Sequence, residues 1–352
     1  MIKYKIKDNN KPIFVLFILI ILICLSIAVF STIGSANIRV IDTIRIILSK
    51  IPLINKSIDT SDIPKSSEVI ILNIRIPRVL ISMLVGSSLA GVGAVLQGLF
   101  KNPMADPYII GISSGAAFGA GIFIVLGVTG YSSNISLISI GAFIGALSTI
   151  FLVYWISRVK NKIPITTLLL SGVAIGQLLT SMLSFMMIIS TKDMDKIIYW
   201  TLGSFAGKGW DRLIPFLPIA LISFLILLFY YRDLNIMLMG EESAQGLGID
   251  VERTKLILLI VSSLITAISV SISGTIGFVG LIVPHIIRLI IGANYKYLLP
   301  CSILAGGIFL SFADTVARTI ISPTEIPVGI VTAILGGPFF IYLLRKNKRM
   351  YK

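Results

Sequence analysis

The chain carries few side chains that could act as nucleophiles, metal ligands or proton carriers. It has one histidine, His285, and two cysteines, Cys24 and Cys301, which are far apart in the sequence. Neither a zinc cluster nor a disulfide framework can be built from this set, so we expect no metal site and two inert thiols. His285 follows Pro284 and could relay protons, but a helix-end histidine bonded to a neighbouring carbonyl is the favoured interpretation.

The glycine-rich stretch at 203–209 is the nearest approach to a nucleotide-binding loop. A phosphate-binding loop needs a glycine separated by four residues from its Gly-Lys pair, and a Ser or Thr after the lysine. Here Leu202 and Gly209 occupy those two places. We therefore expect no ATPase domain in this chain, no bound cofactor and no enzymatic activity; if the chain takes part in an ATP-driven process, a separate subunit must bind ATP and magnesium.

Composition indicates that lipid is the solvent of this chain. Of its 352 residues, 56% are hydrophobic and 13% are charged, and the mean hydropathy is +0.98. A water-soluble globule of this composition would lack the polar surface to cover its core. The apolar runs are about 20 residues long, the length of a membrane-spanning helix, so we predict an all-α polytopic membrane protein.

The apolar runs predict about ten membrane-spanning helices within a single transmembrane domain, residues 1–352. They are placed at 13–35, 76–99, 108–128, 134–157, 165–190, 213–231, 255–273, 276–292, 298–320 and 327–344. The run at 276–292 has the weakest pattern because it contains Pro284, His285 and Arg288. A re-entrant helix there would move the carboxyl terminus to the other side of the membrane.

Lysines and arginines in the short loops predict the orientation, because cytoplasmic loops carry an excess of them. They favour cytoplasmic tails at 1–12 and 345–352, a cytoplasmic loop at 232–254 and an extracytoplasmic loop at 36–75 that could fold on its own. The apolar run 13–33 has spanning length, which indicates a retained first helix rather than a cleaved signal peptide. The net charge of +14 is then explained by loops that face anionic lipid and protein partners, and no nucleic-acid motif accompanies it.

Glycines recur at helical spacing in several of these spans. They include Gly115 and Gly119, Gly141 and Gly145, Gly172 and Gly176, and the set Gly86, Gly91 and Gly93. Small residues on one helix face let backbones approach closely in lipid, so this pattern predicts a compact bundle rather than a loose set of anchors.

Several sequence blocks follow one another in an order typical of one transporter family. The first runs from Arg75-Ile-Pro-Arg78 through Leu96-Gln-Gly-Leu-Phe-Lys-Asn-Pro-Met-Ala-Asp-Pro107 to Gly111-Ile-Ser-Ser-Gly-Ala-Ala. Later blocks are Tyr199-Trp-Thr-Leu-Gly-Ser-Phe, Gly274-Thr-Ile-Gly-Phe-Val-Gly-Leu-Ile-Val-Pro-His285, Ala313-Asp-Thr-Val-Ala-Arg318 and Glu325-Ile-Pro-Val-Gly329. The chain therefore resembles the FecCD-type permease subunits of bacterial ABC importers for ferric siderophores, haem and cobalamin.

This resemblance implies the fold of the type II ABC importer permeases, with ten helices in each subunit. Two identical or closely related subunits would form a central pathway in the bacterial cytoplasmic membrane. An extracytoplasmic binding protein would deliver the substrate, and two cytoplasmic ATPases would drive its transport. The resemblance favours a ferric siderophore as substrate, with haem and cobalamin as the alternatives.

The resemblance also implies a role for Arg75, Arg78 and Arg318 at the outer ends of their helices. In similar permeases such arginines meet glutamates of the binding protein, and guanidinium groups suit this role because they pair bidentately with carboxylates. The alternatives are that the arginines reach lipid headgroups, or that Arg318 pairs with Asp314 four residues earlier. The Asp314–Arg318 pair is expected in either case.

A short helix is predicted within the cytoplasmic loop 232–254. It would begin after Gly240, with two glutamates in its first turn, and stop at Gly246 or Gly248. By the resemblance, this helix would fit a groove of the ATPase and transmit its closure to the membrane helices. The residues assigned to it are Gly240, Glu241, Glu242, Ser243, Ala244, Gln245, Gly246, Leu247 and Gly248. The alternative is an ordinary solvated loop.

A mildly polar stripe lies along the predicted span 165–190. Its residues are Gln177, Thr180 and Ser184, flanked by Met182, Met186 and Met187. Weak polar contacts and adaptable methionines would suit a pathway for a bulky ligand, although small polar residues serve helix packing equally well. Gln97, Asn102 and Pro103 are interpreted as structural residues of the turn between the second and third spans.

An ion-coupled secondary transporter is the main alternative to an ATP-driven permease. Such transporters usually bury an Asp, Glu or His within a span, whereas Asp314 lies near an outer end and Asp106 and Glu325 lie in predicted loops. A membrane-embedded enzyme would need a constellation of nucleophile, metal or base, and the sequence contains none. Dependence on ATP and on two partner proteins distinguishes the permease from both alternatives.

Overall fold

The computed structural model describes residues 10–34, 36, 38–50, 59–128, 130–132, 135–160 and 163–348. Their α-helices are, in chain order, α1 (Lys11–Thr32), α2 (Val40–Ser49), α3 (Lys65–Val69), α4 (Ile76–Leu99), α5 (Ile112–Val125), α6 (Leu137–Ser157), α7 (Ile165–Ile189), α8 (Met194–Thr201), α9 (Trp210–Phe229), α10 (Tyr231–Met237), α11 (Glu241–Gly246), α12 (Val251–Ser273), α13 (Val279–Ile291), α14 (Tyr295–Ala317) and α15 (Val328–Lys348). A π-helical segment covers Ile70–Arg75, 3₁₀-helices cover Pro107–Ile110 and Thr191–Asp193, and two-residue strands β1 (Tyr131–Ser132) and β2 (Ile135–Ser136) pair antiparallel. The predicted all-α class is confirmed.

Apolar helices occupy all ten positions predicted as membrane spans. Within the described residues, seven helices combine an apolar composition with spanning length: α1, the continuous helix of 65–99, α6, α7, α9, α12 and α14. The others are α5, with 14 residues, α13, with 13, and α15, whose apolar part is 328–342. An α-helix of 13 or 14 residues is only about 20 Å long, so α5 and α13 are each shorter than the hydrocarbon core of a bilayer.

Helix α4 forms the centre of the bundle because glycines let its neighbours approach. It packs against α14, α13, α12 and α9, and 94% of the most apolar window of helix 65–99 is buried. A β-carbon at Gly86 would collide with the backbone of Gly306 in α14, and one at Gly93 would collide with the backbone of Gly280 in α13. Direct backbone contact of this kind holds helices together where lipid provides no hydrophobic driving force.

A second close contact joins α5 to α6 through glycines. The carbonyl group of Gly141 occupies the space that a β-carbon of Gly119 would need, and the carbonyl group of Gly115 does the same for Gly145. Gly172 of α7 lies equally close to the backbone of the 3₁₀-helix that precedes α5. The packing role predicted for these glycines is confirmed.

The segment 36–75 is largely helical where the structure describes it. Its last part, from residue 65, forms the first turns of one 35-residue helix that ends at Leu99, so this helix begins well before the predicted boundary at 76. Ile46 of α2 packs with Ile63 and Ile71 in a small buried cluster. Residues 37 and 51–58 of the segment lie outside the described residues.

The π-helical segment has a local cause in the sequence. Proline has no N–H group to donate, and its ring crowds the preceding turn, so Pro77 leaves the helix without one hydrogen bond. The N–H group of Ile76 donates to the carbonyl group of Ile71, five residues earlier, which widens the helix just before the proline. Arg75 lies in this widened turn.

Helices α1 and α7 have broad apolar faces that the rest of the chain does not cover. Only 11% of the most apolar window of α1 is buried, and the figure for α7 is 17%. On α7 the exposed side chains include Leu178 and Phe185. Faces of this size are covered by lipid or by another protein.

Candidate functional site

Three arginines that are distant in sequence meet at one end of the bundle. Arg75 lies in the π-helical segment, Arg78 in the first turn of α4, and Arg318 directly after α14. Together with Glu325 they line a cavity of about 270 Å³. Their exposed fractions are 4%, 8% and 6%, so the three side chains are held within the protein rather than projecting from its surface.

Arg78 is held between two carboxylates. Its Nε and Nη2 atoms donate to the two carboxylate oxygens of Asp314 in α14, both at 2.9 Å. Its Nη1 atom donates to Glu325 at 2.8 and 3.0 Å. The side chain of Asp314 is 2% exposed and that of Glu325 is 38% exposed, so one carboxylate is fixed inside the bundle and the other is open to the cavity. Bidentate pairing fixes the orientation of the guanidinium as well as its position.

Arg75 binds the carboxyl end of α1. Its Nη1 atom donates to the carbonyl groups of Ser31 and Thr32, at 3.3 and 2.5 Å, and its Nη2 atom donates to the carbonyl group of Ala36 at 2.5 Å. The last carbonyl groups of a helix have no partner within the helix and carry a partial negative charge, so a buried guanidinium satisfies both needs. A β-carbon at Gly34 would collide with this guanidinium, which accounts for the glycine.

Arg318 also reaches α1, and this finding corrects the expected pair with Asp314. Its Nη2 atom donates to the carbonyl group of Phe30 and, at 3.2 Å, to the hydroxyl group of Thr315. Both carboxylate oxygens of Asp314 instead accept hydrogen bonds from Arg78. The predicted Asp314–Arg318 pair is therefore wrong. Among the described residues, the buried Nε atom of Arg318 has no hydrogen-bond partner.

The short helix predicted in the loop 232–254 is present as α11. Gly240 precedes it with a φ of +133°, a value that favours glycine, and Glu241 and Glu242 form its first turn. Ala244 is fully buried against the bundle. The exposed residues of this segment are Glu242, Ser243, Gln245, Gly246, Leu247 and Gly248. One face of the segment is thus anchored and the other is open.

A buried lysine ties α11 to the start of α12. The Nζ atom of Lys255 donates to Glu241 at 2.8 Å and to Glu252 at 3.2 Å, and the lysine is 4% exposed. The second oxygen of Glu252 accepts the N–H group of Ile163, just before α7, at 3.2 Å. These contacts join α11 to the beginnings of two long helices.

Helix α10, which the sequence pattern did not predict, fastens the same loop to the core. The Nδ2 atom of Asn235 donates to Oδ1 of Asn294 at 3.0 Å, and its Oδ1 atom accepts the N–H group of Tyr295 at 2.9 Å. The hydroxyl group of Tyr295 donates to the carbonyl group of Ala94 in α4 at 3.0 Å. Hydrogen bonds therefore run without a break from α10 through α14 to the central helix.

Three residues of the predicted polar stripe and its flanks, Thr180, Ser184 and Met187, line a cleft of about 420 Å³ between α5, α7 and α8. The hydroxyl oxygens of Thr180 and Ser114 are 3.2 Å apart. Among the described residues that line the cleft, none is charged. The lining also includes hydroxyl-bearing side chains that the sequence pattern did not predict: Tyr108, Ser113, Ser114, Thr201 and Thr275. Ser113 and Ser114 belong to the Gly111-Ile-Ser-Ser-Gly block, and this block is the sequence feature that could have identified them as cleft residues.

The other predicted pathway residues lie on α7 beside this cleft. Gln177 precedes Thr180 by three residues and is exposed, as is Met182. Met186 is half-buried, and its methyl group approaches Gly121 of α5. Helix α7 thus presents both polar and apolar side chains on its uncovered surface.

Of the side chains predicted to hold the turn between α4 and α5, Asn102 bonds within the turn, whereas Gln97 binds α13. The Nε2 atom of Gln97 donates to the carbonyl group of Leu281 at 3.1 Å, and Oδ1 of Asn102 accepts the N–H group of Met104 at 2.9 Å.

His285 lies in the middle of α13 rather than at a helix end. Its buried Nδ1 atom has no partner among the described residues, so the expected carbonyl contact is absent at that atom.

Asp106 caps the 3₁₀-helix in the same turn. Its Oδ1 atom accepts the N–H group of Tyr108 at 2.8 Å. Burial raises the pKa of the Asp106 carboxyl group to about 6, and the hydrogen bond from Tyr108 opposes this shift only in part. The hydroxyl group of Tyr108 in turn accepts the N–H group of Ile276, which connects the turn to the segment before α13.

Known proteins resemble this chain along most of its length. The cobalamin import system permease BtuC of Halobacterium salinarum is 48% identical over 286 residues, which cover 81% of this chain and 76% of that protein. The hemin transport system permease HmuU of Yersinia pestis is 40% identical, with 79% and 83% covered. The Fe(3+)-citrate import system permease YfmD of Bacillus subtilis is 39% identical, with 80% and 83% covered.

The fold agrees with these sequence relationships. A solved structure of a metal-chelate type ABC transporter in an inward-facing conformation matches with a TM-score of 0.80 and 32% identity, covering 94% of this chain and 98% of that one. The sequence model of the FecCD transport family matches residues 18–346. The central glycine-packed bundle and its ten apolar helices are thus those of an ABC transporter permease, and the chain belongs to the FecCD transport family.

Proposed function

We propose that this chain is the permease subunit of an ATP-driven importer that carries a ferric siderophore across the cytoplasmic membrane. The observation that carries the proposal is the match to the FecCD transport family over residues 18–346. The cleft between α5, α7 and α8 supports it. Neutral hydroxyl groups offer a bulky chelate weak contacts, from which it is easily released.

Cobalamin is the second candidate substrate, and haem is the third. The relative that is 48% identical is named for cobalamin import, whereas the relatives named for hemin and ferric citrate are 40% and 39% identical. All three substrates are large metal chelates, so an uncharged cleft suits each of them. We propose that the binding protein, rather than this chain, selects among the three substrates.

We propose that a second permease copy, identical or closely related, completes the pathway. The cleft lies on the side of the bundle where α7 is mostly uncovered. Exposed apolar side chains there, such as Leu178 and Phe185, would be buried by a second copy, and the hydroxyl groups of Thr180 and Ser184 would then face a shared channel.

An extracytoplasmic binding protein would dock at the end that carries Arg75, Arg78 and Arg318. Among the described residues that line the cavity there, three carry guanidinium groups and one, Glu325, carries a carboxylate, so its mouth is suited to a carboxylate of a partner. Because Arg75 and Arg318 also hold α1, a partner bound to them would act on three helices at once. Both termini would lie at the opposite, cytoplasmic face.

One cytoplasmic ATPase would bind the open face of α11 in each of the two permease copies. Glu242 and Leu247 are exposed there, whereas Ala244 packs inward. The hydrogen-bonded connections from Lys255 and Asn235 would pass a movement of α11 to α12, α14 and α4. The rigid fastening of this segment is what suits it to transmit nucleotide-driven closure.

Uptake measurements test the substrate. A strain that lacks this chain should lose uptake of a labelled ferric siderophore and regain it when the gene is restored, while labelled haem and cobalamin serve as parallel substrates. If the strain loses uptake of cobalamin alone or of haem alone, that substrate replaces the ferric siderophore in the proposal. Uptake by the purified chain alone, in vesicles without ATP, would contradict the whole proposal.

The ATPase contact is tested at the exposed face of α11. The double variant Glu242→Lys/Leu247→Glu should fold and insert normally but lose ATP-dependent transport in the assembled importer. Lys296→Glu is the matched control, because Lys296 is exposed at the start of α14 but outside α11. Equal transport by both variants would exclude α11 as the coupling surface.

A further inference from the structure

A further cavity, which shares no lining residue with the arginine cluster or the cleft, lies between α6, α7 and α12. It has a volume of about 400 Å³ and is lined almost entirely by apolar side chains. Leu147, Ile150, Phe151 and Tyr154 follow one another along one face of α6, opposite Leu256 and Ile260 of α12. The cavity is therefore an elongated apolar groove that runs toward the same end of the bundle as α11.

The groove opens to the side of the bundle. Phe151 and Ile260, one from each wall, are 67% and 56% exposed. In a membrane these positions face acyl chains rather than water. Tyr154 and the exposed Trp155 follow at the end of α6. Tyrosine and tryptophan concentrate where the hydrocarbon meets the headgroups, so this pair marks the headgroup level beside the groove.

Two arginines stand at the headgroup end of the groove, one on each wall. Arg158 follows Tyr154 by four residues, and its backbone N–H group donates to the carbonyl group of Tyr154 at 3.1 Å. Arg253 precedes Leu256 by three residues on the face of α12 that lines the groove. Both arginines are exposed. A guanidinium at this level is placed to bind a phosphate oxygen.

The two acidic residues that flank Arg253 in the sequence at the start of α12, Asp250 and Glu252, accept hydrogen bonds within the protein. Glu252 accepts hydrogen bonds from Lys255 and from the N–H group of Ile163. Asp250 accepts the N–H group of Arg253 at the start of α12. The headgroup end of the groove consequently carries two exposed cations, of which Arg158 also donates from its Nε atom to the carbonyl group of Lys160 at 3.2 Å.

We propose that this groove binds an anionic phospholipid of the adjacent leaflet, with one acyl chain along α6 and α12 and its headgroup between Arg158 and Arg253. The apolar lining selects the chain, the interfacial aromatic residues set its depth, and the arginines select the negative charge. The bound lipid would fill the space between α6, α7 and α12, and α12 is tied to α11 through Lys255 and Glu241.

Native mass spectrometry of the full chain, purified in detergent, tests this proposal. Phosphatidylglycerol and phosphatidylcholine with identical acyl chains are titrated separately, and the wild type should retain phosphatidylglycerol more tightly. In Arg158→Gln/Arg253→Gln that preference should fall by about fivefold for each arginine. Lys101→Gln/Lys296→Gln removes two exposed charges elsewhere and should leave the preference unchanged.

The apolar part of the site needs its own variant. Ile260→Trp should fill the groove from its mouth and lower the retention of both lipids, whereas Ile222→Trp, at a 58% exposed position of α9, should not. The proposal is overturned if the arginine variant keeps the wild-type preference, or if the lysine control loses it equally. Equal retention by the two tryptophan variants would also overturn it.

Discussion

Arg78 and Asp314 form two parallel hydrogen bonds of 2.9 Å although 236 positions separate them in the sequence. The pair joins the first turn of α4 to the last turn of α14, and Glu325 binds the other side of the same guanidinium. Asp314 is almost completely buried. Removal of either partner therefore leaves a charge in a place that water scarcely reaches.

Asp314→Asn should destabilise the protein strongly. The substitution leaves Arg78 with one partner, the more exposed Glu325, and we expect a loss of about 3 kcal/mol in the free energy of unfolding. Thermal unfolding of the detergent-purified protein measures the effect. Glu68→Gln is the control, since the Lys50–Glu68 pair, 2.7 Å apart, is solvent-exposed and should contribute less than about 1 kcal/mol. Equal shifts for both variants would contradict the assigned role of the buried pair.

Glu325→Gln should strengthen capture of the binding protein, if that protein docks through carboxylates. Glu325 occupies the Nη1 side of Arg78, which a docking carboxylate would need, so neutralising it frees the guanidinium. Because the net value of an exposed charge pair is about 1 kcal/mol, the expected gain in affinity is several-fold. Binding of the isolated binding protein to the permease at low and high salt measures it.

The background Arg78→Gln separates this competition from a general charge effect. In that background Glu325→Gln should have little influence, because the group for which the two carboxylates compete is gone. An equal gain with and without Arg78 would mean that Glu325 merely repels the partner.

Gly306→Ala should disrupt the contact between α14 and α4. The added methyl group would collide with Ala90 and with the backbone of Gly86, and overpacking of this kind costs about 1–3 kcal/mol. Gly176→Ala is the matched control, because the nearest neighbour of a β-carbon there, Oγ of Ser114, lies at an ordinary van der Waals distance of 3.5 Å, and the alanine should stabilise α7 by up to about 1 kcal/mol. Thermal unfolding of the two variants should shift in opposite directions.

Asp106→Asn should change how stability depends on pH. The pKa of this carboxyl group is about 6 in the folded protein against an ordinary value of 3.8, so between these values the folded state binds more protons than the unfolded chain. Stability from this group therefore falls as the pH rises from about 4 to 7. The amide keeps the hydrogen-bond acceptor for Tyr108 but never carries the charge.

The variant should accordingly be more stable than the wild type at pH 8, by about 1–2 kcal/mol after allowance for solvent screening. The advantage should shrink toward zero near pH 4. A series of melting temperatures from pH 4 to pH 8 measures it. A difference between the two proteins that does not change with pH would contradict the raised pKa of Asp106.

Local features of the sequence were enough to predict much of the architecture. A membrane helix is specified by about 20 consecutive apolar residues, so the ten apolar helices were found close to their observed positions. Helix α11 was predicted for a similar reason, because Gly240, the acidic first turn and Gly246 are all signals within one short segment. The glycine spacing predicted helix contacts but not which helices meet.

Short helices and helix beginnings were harder to predict. Helices α8 and α10 have 8 and 7 residues, too few for a clear periodic pattern. The helix that ends at Leu99 begins at residue 65 because a π-turn accommodates Pro77, whereas proline ordinarily marks a helix boundary. The hydroxyl groups of Thr201 and Thr275 join Thr180 in the cleft only because separate segments fold together there.

The sequence by itself determined that this chain is a helical membrane permease, since composition, span length and motif order are properties of consecutive residues. Only the tertiary structure decided what its charges bind. Arg318 lies only four residues after Asp314, at the end of the same helix. Asp314 nevertheless pairs with Arg78, because the glycine contact between α4 and α14 brings the Arg78 guanidinium to it. Electrostatic partners follow distance in space, and in a packed bundle that distance is set by which helices touch.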